Sequence, residues 1–222
     1  MAGWFQGTGD ILNALAAGDS WMLSEAMRAP ATWSLGLIAM LALSMVILVL
    51  YRVVPWTERN FEQTLMIVSY LAIGGIIFVE VFRRFVLSQQ APWSTTLPPF
   101  LFLIMTWFGC SYNVKLRTHL AFSEFRTSMP RVGQITCLTL DAILWIGFCW
   151  VVVVTATKVA VNSAANFQIM LGTDNIMQWW FLLSVPLAFT TLVARVIENL
   201  LTDIANFRRG NTLITQAVIG GD

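Results

Sequence analysis

One histidine, His119, occurs in the chain, in the basic stretch Lys115-Leu-Arg117-Thr-His119. A single imidazole cannot supply both axial ligands of a bis-histidine haem, and it leaves a zinc site short of donors. Its structural alternative is an ordinary solvated or interfacial polar residue. The three cysteines, Cys110, Cys137 and Cys149, lie in apolar sequence without CxxC spacing. They read as small buried hydrophobes rather than as a disulfide or metal set. Glu80, Arg83 and Arg84 are the most unusual charges, because they sit at the end of a long apolar run. On a helix Glu80 reaches Arg83 at i,i+3 and Arg84 at i,i+4. Two readings stand: a contact with a partner or a polar path, and an internal ion pair with the arginines snorkelling outward. Asp141 and Lys158 lie near opposite ends of another apolar run and are too far apart to bond within it. Each reads as an interfacial or interhelical charge. No GxSxG, P-loop or GxGxxG motif is present, and no carboxylate pair is placed for acid–base work. These residues point away from an enzyme and away from a cofactor held by this chain.

The elements that carry these residues follow from composition. Of 222 residues, 57% are hydrophobic and 11% charged, whereas a soluble domain carries about 25% charged residues. A surface so poor in charge belongs in lipid. The net charge of +1 offers nothing to a nucleic acid. A membrane-spanning helix needs ~20 mainly apolar residues, and five segments qualify: Trp33 to Val54, Leu65 to Leu87, Leu97 to Val114, Ile135 to Val161 and Met177 to Leu201. Helices are expected because a segment in lipid must satisfy its own backbone; the ~10-residue alternating segments of a barrel are absent. Gly74, Gly75, Gly109 and Gly147 are candidates for close helix packing. Pro186 predicts a kink in the last helix. The first ~30 residues carry Ile11, Leu12, Leu15, Met22, Leu23 and Met27 at loosely helical spacing among acids, which predicts an amphipathic or interfacial helix. They lack the basic start of a cleavable signal peptide.

Lysine and arginine set the expected orientation. With the loop after the first helix in the cytoplasm, Arg52, Arg59, Lys115, Arg117, Arg126, Arg131, Arg195, Arg208 and Arg209 lie inside, and Arg28, Arg83, Arg84 and Lys158 outside. The opposite orientation inverts that imbalance. The N-terminus is then outside and the C-terminus inside. Trp33, Tyr51, Trp56, Trp93, Trp179 and Trp180 fall near helix ends, as interfacial aromatics do. Trp107, Trp145 and Trp150 fall deeper, where they pack between helices.

Four stretches, in order, resemble the small membrane subunit of tripartite ATP-independent periplasmic (TRAP) transporters. They are Val81-Phe-Arg-Arg-Phe-Val-Leu87 with Pro92-Trp93-Ser94; Trp107-Phe-Gly-Cys-Ser-Tyr-Asn-Val-Lys-Leu-Arg-Thr-His119-Leu; Met129-Pro130; and Trp179-Trp180 with Pro186 and Arg195. The resemblance runs over roughly residues 60 to 205. It departs from the family at Ser94, Thr95 and Thr96, where acidic residues often follow the loop tryptophan, and in the segment Trp33 to Val54, which is extra to the family's four-helix core. The implied fold class is an all-α integral membrane protein: an N-terminal extension (1–30), an extra transmembrane helix (31–57), the four-helix core (58–205) and a cytoplasmic tail (206–222).

The resemblance implies an accessory, non-enzymatic role in the bacterial inner membrane. A periplasmic substrate-binding protein delivers an organic acid. A separate large membrane subunit carries substrate and sodium ions by an elevator motion, and the small subunit braces its fixed scaffold. Arg83, Arg84 and Trp93 at the outer side, and Lys115, Arg117 and His119 at the inner side, are the expected contacts with protein or lipid. An alternative is the membrane anchor of a redox enzyme, which the lone His119 makes poorly equipped for haem. A freestanding channel is a third class, disfavoured by sparse intramembrane charge.

Overall fold

The computed structural model describes residues 2–117, 126 and 128–213; His119 and the tail from 214 lie outside the described residues. Two short helices come first, α1 (Ala2–Ala17) and α2 (Ser20–Ala26), followed by α3 (Ala31–Val53) and α4 (Pro55–Val86). A 3-10 turn, Pro92–Thr95, leads into α5 (Leu97–Leu116). Then come α6 (Arg131–Ala165), the single turn α7 (Trp179–Leu182) and α8 (Ser184–Arg209). Five segments are long and apolar enough to cross a membrane: Ala31–Val53, Pro55–Val86, Pro92–Leu116, Arg131–Ala165 and Trp179–Arg209. The protein is an all-α, multi-pass membrane protein.

Local chemistry sets the breaks. Val54 takes a non-helical φ of −120° and ψ of 90° because Pro55 excludes the α region from its predecessor; Pro55 itself opens α4, where no amide donor is needed. Gly18, at φ 67°, ends α1. Asp19 then caps α2, its carboxylate accepting from the amides of Trp21 (2.8 Å) and Met22 (3.2 Å). The amphipathic expectation for this region becomes two helices: Ile11 and Ala14 are buried, while Leu12, Leu15, Trp21 and Met22 are exposed. Gly210, at φ 81°, closes α8.

The last span breaks beside Pro186, as its sequence predicts. It is interrupted at Leu183, between α7 and α8. Pro186 has no amide hydrogen for the carbonyl of Leu182, so the ladder breaks there and resumes with Leu187 N–H to the Leu183 carbonyl at 3.3 Å. Beyond that break α8 becomes the axis of the bundle. In its most apolar window 61% of residues are buried, against 6% for α4 and 11% for α3. It packs on α3, α5 and α6. Ala188, Val193 and Ala194 are fully covered, and Phe189 lies 4.8 Å from the Trp107 ring. The Ser44 hydroxyl donates to the Thr190 carbonyl (3.2 Å), tying α3 to this axis.

The glycines singled out by sequence are not where helices approach most closely. Gly74, Gly75 and Gly147 face open space on outward faces, which residue type alone does not reveal, whereas Gly109 packs closely on α4, where an added Cβ would stand 3.2 Å from the Met66 sulfur. The close crossing is at Gly36, where an added Cβ would stand 2.5 Å from Val154 Cγ2, so α3 and α6 touch through a missing side chain.

Candidate functional site

The helices converge at one end on a buried charge cluster. On α8, Arg195, Glu198, Asn199 and Asp203 fall on one stripe at helical spacing; on α4, Glu58 and Glu62 do the same. Arg195 is 1% and Glu62 0% exposed. The Arg195 guanidinium grips Glu62 bidentately along one edge, Nε to Oε1 at 2.7 Å and Nη2 to Oε2 at 3.0 Å. Nη1 donates to Glu198 Oε2 (2.8 Å) and Nη2 to the Glu58 carbonyl (2.7 Å). The Tyr51 hydroxyl donates to Glu62 Oε1 (3.0 Å), and its ring lies under the guanidinium at 4.0 Å. A planar cation with five fixed donors suits this bidentate and stacked arrangement; a lysine could not make it.

A second layer surrounds the cluster. Lys115 donates to the Glu58 and Arg59 carbonyls and lies 3.5 Å from the Glu58 carboxylate. Arg117, in the left-handed conformation that ends α5 (φ 56°), pairs with the buried Asp203 at 2.7 Å and donates to the Asn199 carbonyl (3.2 Å). Asn199 in turn donates to the Val114 carbonyl (2.9 Å), another of the terminal α5 acceptors. Arg126 reaches Asp141 at 3.5 Å, and Arg131 donates to the carbonyls of Phe207 and Asn211. The combined effect is mechanical: α3, α4, α5 and α8 are cross-linked by charge-assisted hydrogen bonds whose buried members have nowhere else to go. Among the described residues no group of three or more His, Cys, Asp or Glu could hold a metal ion.

Of the residues expected from sequence, Lys115 and Arg117 are brought together here and turned onto this chain. Arg195 and Glu62 were missed as a pair. The available signal is Arg195 itself, a cation inside an apolar span, which enters the sequence reading through topology and the last resemblance stretch; its partner lies 133 positions away. Tyr51, expected at the membrane interface, is 4% exposed because it completes this cluster.

The opposite end is built differently. Glu80 makes no ion pair with Arg83 or Arg84; both its oxygens accept from the Ala91 amide, at 3.3 and 3.4 Å. The turn after α4 leaves that amide without a helical partner, and the carboxylate supplies one. Arg83 is half-buried and Arg84 exposed, with no ion pair among the described residues. Trp93 stands on the 3-10 turn, 37% exposed. The loop after α6 seats on that turn: Gly172, at φ 81°, lies so close that a Cβ would meet the Pro92 carbonyl carbon at 2.4 Å, and Thr96 donates to the Leu171 carbonyl (2.7 Å). Lys158 stands 5.3 Å over the Trp33 ring, consistent with an interfacial charge.

Residues 73–206 match the family model for tripartite ATP-independent periplasmic transporters, DctQ component. The chain is also 24% identical over 166 residues to the sialic acid TRAP transporter small permease protein SiaQ of Vibrio cholerae, the match covering 72% of this chain and 92% of that protein.

Proposed function

Since the chain belongs to the DctQ component family of the tripartite ATP-independent periplasmic transporters, we propose that it is the small subunit that braces the fixed scaffold of a separate large membrane subunit. That large subunit moves an organic acid, delivered by a periplasmic binding protein, together with sodium ions. The N-terminus is periplasmic and the C-terminus cytoplasmic in the bacterial inner membrane, the orientation that puts most lysines and arginines inside.

The observation that carries this reading is the contrast between a locked end and an uncovered face. One end is cross-linked through Arg195 and Glu62, as a static support requires. Along α4, by contrast, Leu71, Phe78, Phe82 and Phe85 are 64%, 74%, 53% and 79% exposed, leaving a broad apolar surface for lipid or a second membrane protein. Arg83 and Arg84 lie at the end of that surface and would meet the partner's outer side.

Affinity purification of the tagged chain from its native membrane in mild detergent tests the proposal. Mass spectrometry should find a larger, very hydrophobic chain at near one-to-one stoichiometry. Purification of the chain alone, or with pigmented redox subunits, would overturn it.

A further inference from the structure

A recess of about 180 Å³ opens at the end of the bundle that carries Lys158, lined by Ser24, Met27, Arg28, Lys158 and Asn162. Its volume is many times the ~10–15 Å³ that admits one water. Two helices supply its polar groups: Arg28 and Ser24 come from α2 and the turn after it, Lys158 and Asn162 from α6. The charge is unbalanced. Arg28 has Glu25 at 3.4 Å, a pair in which both side chains are mostly exposed. Lys158 is half-buried and has no carboxylate among the described residues, only the Trp33 ring. Asn162 Oδ1 already accepts from Asn166 (3.1 Å), which leaves its amide hydrogens as donors. The polar side chains of the recess therefore present donors and a surplus cation: the chemistry of an anion site.

Its surroundings select the kind of anion. Lys158 lies four residues beyond the buried Val154, about 6 Å further along α6, in the last turns of a 35-residue helix that is longer than the ~20 residues a hydrocarbon core takes, which sets it toward the headgroup layer. Trp21 (65%), Met22 (49%) and Val159 (56%) are exposed on α2 and α6 close by. Apolar side chains on a short helix at that depth belong against acyl chains. A free anion would satisfy the cations and leave this apolar margin bare. An amphiphile with an anionic head satisfies both.

We propose that the recess between α2 and α6 binds the headgroup of an anionic phospholipid, with Lys158 and Arg28 on its phosphate and Ser24 and Asn162 donating hydrogen bonds. The site pins the N-terminal helices to the bundle through lipid.

The test uses the full chain purified in detergent, with native mass spectrometry after addition of phosphatidylglycerol or phosphatidylcholine. The unmodified chain should retain phosphatidylglycerol preferentially. Lys158→Gln and Arg28→Gln should each lower its retention roughly fivefold, the weight of one cation at a membrane surface. Arg208→Gln, which removes an exposed cation far from the recess at the end of α8, should retain it. Lys158→Arg should restore retention. Arg28 is mostly exposed and pairs only with the exposed Glu25, so its substitution should leave the fold intact, and a poorly folded Lys158 variant leaves the test standing. Equal retention of both lipids, equal loss in Arg208→Gln, or displacement by millimolar inorganic phosphate would overturn the proposal; the last would reassign the recess to a free anion.

Discussion

Removing the Glu62 carboxylate isolates the energetics of the buried cluster. In Glu62→Ala, Arg195 loses its bidentate partner and Tyr51 loses its acceptor. Breaking a fully buried pair costs about 3–5 kcal/mol. Glu198 and the Glu58 carbonyl still hold part of the guanidinium, which places the cost at the lower end, about 3 kcal/mol. For a chain of this length that corresponds to a drop in Tm of roughly 6–12 °C. Glu198 is 40% exposed, so Glu198→Ala should cost no more than about 1 kcal/mol. The double variant Glu62→Met/Arg195→Met removes both charges together and should recover most of the loss, because well-packed apolar replacements of a buried pair are often near neutral. Thermal unfolding in detergent, followed by tryptophan fluorescence, reads all three. Equal shifts for Glu62→Ala and Glu198→Ala, or a double variant as damaged as Glu62→Ala, would refute the view that burial of an unpaired cation dominates.

Gly36→Ala should destabilise by about 1–3 kcal/mol through overpacking, since Val154 is buried and stands 2.5 Å from the new methyl group; Val154→Ala in the same chain should restore part of the loss in the same unfolding assay. Gly172→Ala forces both a positive φ and a clash with Pro92, so hydrogen exchange at Ser94 and Thr96 should accelerate roughly 5- to 150-fold, from a cost of about 1–3 kcal/mol; unchanged protection would mean the loop does not seat on the turn. Arg83→Ala and Arg84→Ala should weaken association with the large subunit without shifting the Tm of the isolated chain, and unchanged co-purification and uptake in both would remove them from the interface.

The sequence by itself determined the medium and the architecture. Lipid has no hydrogen bonds to offer the backbone, so runs of ~20 apolar residues such as Trp33 to Val54 had to be helices, and their number could be counted. Trp107, Trp145 and Trp150 were legible as packing residues for the same reason: depth along a span is a one-dimensional property. What the tertiary structure decided is partnership. Glu62 lay just outside one expected span and Arg195 near the end of another, and each alone reads as an interfacial charge. Only the approach of α4 to α8 makes them a dry, bidentate pair. Glu80 shows the converse, with helical spacing favouring Arg83 or Arg84 and the turn after α4 presenting an unpartnered amide instead. Gly36, unremarked in sequence, meets Val154, while Gly74 and Gly75 meet nothing. Spacing along one helix specifies which residues share a face; which face meets another helix depends on crossings between segments far apart in the chain.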